Sequence, residues 1–300
     1  MSRPELSGHA AHFYNEKEAR KYNSSSRMIN VQREITVRAI ELLLLPPDET
    51  SLVLDIGCGS GLSGQVLEEH GHVWVGCDVS RDMLQVAHER MEESYRMTDD
   101  VGDDDDDELP TKGDLMHHDM GTGLPFRPAT FDGCVSISAL QWLCYSNSAD
   151  QIPKRRLIRF FSSLYSILKK SARAVLQFYP ETAEQAVLIS ECATSVGFGG
   201  GIVVDYPNSA KAKKHYLVLS CDRTPRKQLS KGMTREEHQK APSYVQVLKN
   251  QRKKKERPVR KKKGIKTKEW IVHKKESQRK KGKDVRPDTK YTARRRPRKF

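Results

Sequence analysis

The residues that invite a chemical reading lie at 52–67, LVLDIGCGSGLSGQVL. Gly57, Gly59 and Gly61 follow a short apolar run and precede a helical one. Glycines at this spacing let the backbone turn sharply and let a ligand lie against it with no Cβ in the way. An acidic residue, Asp55, stands two positions before the first glycine, and a second, Asp78, closes the next apolar run, VWVGCD (73–78). A carboxylate at such a strand end suits the paired hydroxyls of a ribose. Met83 follows at a distance that suits packing on a purine, and Asp119 with Met120 ends a third run, where the carboxylate can accept from an adenine amine. Simple strand-end capping is the alternative for Asp78 and Asp119.

Two cofactor classes use a corner of this kind. A dinucleotide site is built on G-x-G-x-x-G, whose third glycine permits close helix–strand packing. This chain reads G-C-G-S-G-L-S-G after an acidic residue, and that order resembles the turn that binds S-adenosyl-L-methionine (SAM) in class I methyltransferases. The methionine end of that cofactor carries an ammonium, which gives Asp55 a use. The fourth apolar run continues as FDGCVSISALQWL (131–143). Ligands of open α/β sheets bind outside the carboxyl ends of the strands, so Ser136, Ile137, Ser138, Gln141 and Trp142 are expected to face the methyl group and its acceptor. No Asp/Asn-Pro-Pro-aromatic motif and no Pro-Cys nucleophile is present in the sequence. These omissions disfavour an exocyclic amine and a pyrimidine carbon as acceptors and leave one that is already nucleophilic, such as guanine N7. Ser138, Gln141 and Trp142 are the catalytic candidates; Trp142 would stack on a base extruded from its helix, with core packing as the alternative.

The elements that must position these groups alternate. Strands are predicted at 52–56, 73–78, 114–119, 131–137, 172–178, 202–205 and 215–220, with helices at 62–70, 82–95, 154–168 and 182–196. This order specifies an α/β fold, one open sheet with helices on both faces. The last two strands have no helix between them and are expected to form an antiparallel hairpin at one edge. Upstream, 13–45 reads as helical with a break at Asn23–Ser26 and a stop at Pro46–Pro47, and residues 1–12 as unstructured. The run DDVGDDDDDEL (99–109) has nothing to pack and reads as a disordered acidic insert.

Charge divides the chain. Residues 223–300 hold 31 Lys/Arg against 7 Asp/Glu, and residues 1–222 hold 22 against 32. An acidic body with a strongly basic tail points to a polyanionic partner, although a solvated lysine-rich end with no specific partner is the plainer alternative. Basic clusters at Arg252–Lys255, Arg260–Lys263, Arg279–Lys283 and Arg294–Lys299 alternate with sparse apolar anchors (Tyr244, Val245, Val247, Trp270, Ile271, Tyr291). That pattern suggests short pieces that fold against something else. The six cysteines form no C-x-x-C pair, and several lie inside apolar runs, as free buried thiols of a reducing compartment do. Met1 to Lys17 has no apolar stretch suited to a signal peptide, and the longest apolar run, Leu42–Pro47, is far too short to span a membrane.

Beyond the generic turn, the chain resembles the eukaryotic 18S rRNA (guanine-N7) methyltransferase family of small-subunit biogenesis factors. The segments that carry the resemblance are EARKYNSSSRMINVQ (18–32), LDIGCGSGLSG (54–64), FDGCVSISALQWL (131–143), RAVLQFYPE (173–181), GFGGGIVVDYPNSAKAKKHYLVL (197–219) and VRPDTKYTARRRPRKF (285–300). The 197–219 segment is the most distinctive, because generic methyltransferases lack it.

The resemblance implies a class I, Rossmann-like seven-stranded sheet whose last strand is antiparallel, with SAM as cofactor and no metal. It implies an N-terminal helical segment (1–47), a methyltransferase domain (48–222) and a basic region for RNA binding and nuclear targeting (223–300). Methylation of one guanine of small-subunit rRNA in the pre-40S particle follows, in the nucleus and nucleolus, with the cytoplasm as a further compartment. A small zinc-binding activator protein is the implied partner, paired alongside the sheet. Gly57, Gly59 and Asp78 carry over to cofactor binding. Tyr14, Arg20 and Tyr22 would close over the cofactor, Arg20 meeting its carboxylate. The acidic insert departs from the family, and the third strand, DLMHHD, is polar for a docking edge. Two rival readings are an assembly or export factor whose presence on the pre-ribosome matters more than its chemistry, and a small-molecule methyltransferase with an incidental basic tail.

Overall fold

The computed structural model describes residues 3–96, 113–146, 151–209, 212–222, 268–280 and 284–288. The acidic run 99–109 and the basic clusters at 252–255, 260–263 and 294–299 lie outside the described residues, as do Tyr244, Val245, Val247 and Tyr291. The chain divides into two compact units, Met1–Lys240 and Ala241–Phe300.

The first unit is built on a seven-stranded sheet: β1 (Leu52–Ile56), β2 (Val73–Asp78), β3 (Gly113–His117), β4 (Phe131–Ile137), β5 (Leu168–Phe178), β6 (Gly199–Asp205) and β7 (Lys214–Ser220). Their order is β3-β2-β1-β4-β5-β7-β6. The five strands from β3 to β5 are parallel, and β7 runs antiparallel to both β5 and β6. The expected hairpin of the last two strands is therefore present, with β6 at one edge and β3 at the other. Four strands differ in extent from the sequence reading, β7 only by starting one residue earlier, at Lys214. β5 begins at Leu168, because its first residues run straight on from the preceding helix; β6 begins at Gly199; and β3 ends at His117. Asp119 thus lies beyond the strand, where its side chain caps a 3-10 turn, Met120–Thr122.

Helices α1 (Ala10–Phe13), α2 (Glu16–Ser24), α3 (Ser26–Leu43), α4 (Leu62–Glu69), α5 (Arg81–Arg96), α6 (Pro153–Ile167) and α7 (Ala183–Val196) surround the sheet. The predicted break at 23–26 is real. Ser25 is extended, its hydroxyl accepts from the Met28 amide, and it starts α3 as an N-cap. α3 ends at Leu44 in a left-handed conformation (φ 51) just before the Pro46–Pro47 pair.

Two cores sandwich the sheet. On one face, Leu157, Phe160, Phe161 and Leu164 of α6 and Ile189, Cys192 and Ala193 of α7 pack on Leu54, Cys134, Leu176 and Leu217. On the other, Ile35, Ala39, Leu42 and Leu43 of α3 pack with Trp74 on Val53, Val135, Val175 and Val218. The apolar stripe of α6 recurs at 157, 160, 161, 164 and 167, all buried; each such side chain contributes about 1.5–3 kcal/mol.

Residues 1–12 are not unstructured where the structure describes them. Pro4–Leu6 forms a 3-10 turn, and the Arg3 guanidinium donates to the carbonyls of Tyr179 (2.9 Å) and Pro180 (3.0 Å). Glu5 is buried and accepts from Gln141 Nε2 at 3.0 Å. The cause is side-chain bonding across more than 130 residues of chain, which leaves no local pattern in the sequence.

The second unit contains α8 (Lys268–Lys280), so Trp270 and Ile271 fall on a helix. Lys275 and Arg279 of α8 both pair with Asp288, at 2.9 Å each.

Among the described residues no helix is long and apolar enough to cross a membrane, and no cluster of His, Cys, Asp and Glu could hold a metal ion. All six cysteines are free thiols, five of them buried. Burial pushes the Cys77 thiol up to about 12 and the Cys144 thiol up to about 11.

Candidate functional site

At the carboxyl ends of β1, β2 and β4 lies an open cleft whose empty space, including the part continuous with solvent, is about 990 Å³. Its floor is the turn after β1. Gly57 and Gly59 have φ of +70 and +55, where L side chains are strained. A Cβ on Gly57 would come within 2.3 Å of the Ala139 Cβ, and one on Gly59 within 3.0 Å of Met83. The glycines therefore keep a cradle open between β1 and β4. Arg90 of α5 braces the turn by donating to the Ser60 carbonyl at 2.9 Å, with a second bond to Gln65 at 3.1 Å.

Asp78 sits at the rim of this cradle. Its two oxygens accept from the amides of Gly59 (3.0 Å) and Ser80 (2.8 Å). Burial raises its pKa, and these two amide bonds oppose the rise. A third amide bond, from Val79, also reaches the carboxylate, which keeps acceptor capacity for a further hydroxyl. Met83 lies beside it, 5% exposed, in a small cluster with Ala19, Tyr14 and Tyr22.

Asp119 and Met120 line the next part of the wall. Arg156 of α6 contacts both Asp119 oxygens at 3.0 Å, and Asp119 also accepts from the Gly121 amide at 2.8 Å. Arg156 lines the cleft too, and no local feature of α6 announces it in the sequence. His9 lines the cleft near the same pair; burial lowers its pKa, and its Nδ1 accepts from the Ala11 amide.

Ile137, Ser138, Ala139, Trp142 and Leu143 form the opposite wall. Ser138 has φ +61, a strained value for a non-glycine residue and one that recurs at functional sites. It is held there by its amide on the Gln177 carbonyl (3.0 Å) and its hydroxyl on Gln177 Oε1 (2.8 Å). Trp142 is 8% exposed, and its ring lies 6.0 Å from Tyr14 and 6.2 Å from Phe13. Tyr14 and Tyr22 roof the cleft. The Tyr14 carbonyl accepts from the Ser80 hydroxyl at 2.7 Å, and burial, then Glu5 and Asp78, push its phenol up to about 12.

Of the residues singled out by sequence, the cleft is lined by Tyr14, Tyr22, Gly57, Gly59, Asp78, Met83, Asp119, Met120, Ile137, Ser138 and Trp142. Five others stand elsewhere. Arg20 points away, 58% exposed, pairing with Glu16 one helical turn back and with Glu89 of α5. Gly61 caps α4 at φ +74 and packs against Ala87 of α5. Asp55 is fully buried beneath the turn and accepts from Ser63 through Oδ2, while Oδ1 has no partner among the described residues; burial drives its carboxyl up to about 7. Ser136 is fully buried on the strand one residue short of the opening, its hydroxyl without a partner among the described residues. Gln141 is a buried brace, not a cleft residue. It donates to Glu5 and to the Ser138 carbonyl (2.7 Å) and accepts from the Tyr179 amide (3.5 Å). Of the groups missed, His9 and Ala10 come from the N-terminal segment read as unstructured, and Gln32 from α3.

Two family models match. One described as "Methyltransferase domain" covers residues 53–170, and one described as "Methyltransferase involved in Williams-Beuren syndrome" covers residues 219–298. Among curated proteins, the chain is 49% identical over 298 residues to an 18S rRNA (guanine-N(7))-methyltransferase of Mus musculus, spanning 99% of this chain and 98% of the mouse protein. It is 42% identical over 306 residues to a probable 18S rRNA (guanine-N(7))-methyltransferase of Dictyostelium discoideum, with all of both chains covered. Among solved structures, phosphoethanolamine N-methyltransferase 2 of Haemonchus contortus, in complex with S-adenosylhomocysteine, superposes with a TM-score of 0.51 at 16% identity, over 70% of this chain and 58% of that one. That likeness concerns the fold.

Proposed function

Because the chain belongs to the 18S rRNA (guanine-N7) methyltransferase family, we propose that it transfers the methyl group of S-adenosyl-L-methionine to N7 of a guanine in 18S rRNA, as a step of small-subunit biogenesis. The observation that carries this reading is the glycine cradle at 57–59, with Asp78 on one side and the Ser138–Trp142 wall on the other. When bound, the cofactor supplies a sulfonium-activated methyl group. The residues present fit it. Gly57 and Gly59 would leave it room against the backbone, Asp78 would hold the ribose hydroxyls, Met83 and Met120 would pack on the adenine, and Asp119, fixed by Arg156, would accept from its amine.

The chain's own task at the acceptor is positioning. Guanine N7 has a lone pair and loses no proton on attack, so no general base is required. The wall of Ile137, Ser138, Ala139, Trp142 and Leu143 contains neither a carboxylate nor an imidazole, in keeping with that chemistry. It excludes water and offers an aromatic face for the base, while the Gln177 and Gln141 bonds fix the Ser138 backbone.

The partner and compartment belong to the same reading. β3 is an edge strand that pairs only with β2 among the described residues, and such edges are normally covered or blunted. This supports docking of a small zinc-binding activator there. The basic region 223–300 supports RNA binding and residence in the nucleus and nucleolus, with 1–47 roofing the cleft and 48–222 carrying the chemistry.

The test is calorimetry followed by transfer. The full chain should take up S-adenosyl-L-methionine in preference to a nicotinamide dinucleotide, and should place labelled methyl on N7 of one guanine of 18S rRNA. Failure of uptake, or label on another atom, overturns the reading.

A further inference from the structure

The segment most distinctive of the family resemblance, 197–219, makes no part of the cofactor cradle. Its described residues include β6 and β7, and because β7 is antiparallel, the first residues of β7 lie at the carboxyl end of β5. His215 pairs with Phe178 there, which sets Lys214 beside Tyr179. The Lys214 ammonium stands 5.1 Å from the centroid of the half-buried Tyr179 ring. Arg3 reaches the same residue from the N-terminal segment and donates to the Tyr179 and Pro180 carbonyls. Lys213 precedes Lys214 and is also partly exposed.

Among the described residues no carboxylate lies within ion-pair distance of Arg3, Lys213 or Lys214. Of the carboxylates nearby, the buried Asp205 is paired with Arg38 at 3.1 Å, and Glu181 accepts from the Tyr145 hydroxyl at 2.7 Å and forms no ion pair with the three cations. Arg3 and Lys214 thus meet at Tyr179 with no ion-pair partner among the described residues, and Lys213 is next to Lys214 in the chain. The rim is also tied to the cleft. The Tyr179 amide bonds Gln141, and Gln141 bonds the carbonyl of Ser138, which lines the acceptor wall.

The geometry points to a phosphate-binding rim formed by Lys213, Lys214 and Arg3 on the acceptor side of the cleft, which grips the RNA backbone beside the target base. This rests on the proposed function for the identity of the RNA. The fit is one of charge. Residues 1–222 hold 22 Lys/Arg against 32 Asp/Glu, eight of the acids in the run 99–109, so net charge does not draw a polyanion to this part of the chain and a local cationic strip is what would admit it. Phosphate contacts set position without reading sequence, so this strip would fix where the backbone crosses the cleft mouth and leave base choice to the pocket. Tyr179 acts as a positioning residue by holding the Lys214 ammonium over its ring.

Binding of the full chain to a fluorescent loop fragment of 18S rRNA, measured across a range of salt concentrations, tests the rim. Lys214→Ala should weaken binding roughly threefold to tenfold, and the Lys213→Ala/Lys214→Ala pair should lower the salt slope by about 1.4, near 0.7 for each lost contact to a single strand. Lys214→Arg should restore binding. Lys170→Ala, the same charge change at the opposite end of β5, should leave binding and slope unaltered, and S-adenosyl-L-methionine affinity should be unchanged in every variant. Unaltered RNA binding in the double variant overturns the rim, and so does loss of cofactor affinity alongside RNA affinity, which would mark a structural role. Tighter binding of an acidic protein than of RNA at Lys214 overturns it as well. RNA binding that depends on Lys214 in a protein that makes no N7-methylguanosine would instead sink the proposed activity and leave the rim standing.

Discussion

Substituting Gly57 separates the shape of the cradle from the general cost of placing a side chain in a strained turn. Gly57 and Gly71 both lie in the left-handed region, at φ +70 and +80. Alanine at either position incurs about 1–2 kcal/mol of left-handed strain and gains about 0.4–1 kcal/mol from a less flexible unfolded chain. These contributions are common to both and cancel in the comparison. What differs is the neighbourhood: the new Cβ at Gly57 would lie 2.3 Å from the Ala139 Cβ, whereas at Gly71 nothing stands within 4 Å. Overlap that deep forces the backbone to move, at about 1–3 kcal/mol. For a unit of this size that is roughly 2–12 °C of additional loss in Tm beyond that of Gly71→Ala. Ala139 is itself part of the cleft wall, so Gly57→Ala should also weaken S-adenosyl-L-methionine binding by about tenfold or more, while Gly71→Ala leaves it unchanged. Thermal melts and calorimetry on the two variants side by side supply both readouts. Equal Tm losses, or equal cofactor affinities, would refute the claim that glycine at 57 is demanded by the gap to Ala139.

Asp55 gives a pH dependence with a definite sign. Burial raises its folded pKa to about 7, above the unfolded value, so the stability tied to its protonated form is complete below about pH 4 and is lost as pH rises through 7. The wild type should therefore lose stability relative to Asp55→Asn between pH 5 and pH 8 in urea titrations, and a flat difference between the two would contradict the assignment. Gln141→Leu strands the buried Glu5 carboxylate together with the Ser138 carbonyl. It should cost about 2–5 kcal/mol by chemical denaturation, whereas a loss under 1 kcal/mol would show that the brace is dispensable. Trp142→Leu should raise KM for RNA or lower kcat at least fivefold, in line with a lost base stack of about 1–3 kcal/mol, and leave cofactor affinity nearly unchanged. A fall in cofactor affinity alone would place Trp142 in the wrong half of the cleft.

The parts of the molecule legible in the sequence are those where one local property dictates the outcome. The turn at 57–61 could be read because positive φ and close approach select glycine, and the parallel strands could be read because burial on both faces leaves continuous apolar runs such as LVLDI. The antiparallel hairpin followed from the lack of a helix between 205 and 214. What escaped depended on partners distant in the chain. Arg3 and Glu5 are fixed by Tyr179, Pro180 and Gln141, so a polar segment without periodicity became the edge of the site. Arg156 meets Asp119 only after α6 docks on the sheet. Arg20 was assigned by type, yet its spacing to Glu16 already offered an i, i+4 partner on the helix surface. Ser136 and Gln141 were placed by nearness in sequence to the strand end. Strand alternation was the available signal for Ser136: it shares the face of the core residue Cys134, while Val135 and Ile137 face the other way.

The central claim is that this chain, through the cradle at Gly57–Gly59 and Asp78, makes an N7-methylguanosine in 18S rRNA. Mass spectrometry of nucleosides from 18S rRNA, in cells depleted of the protein and then supplied with either the wild type or Asp78→Ala, tests it most directly. One N7-methylguanosine should vanish on depletion, return with the wild type, and stay absent with Asp78→Ala although the variant protein accumulates. Persistence of that nucleoside after depletion, or its full return with Asp78→Ala, would contradict the account.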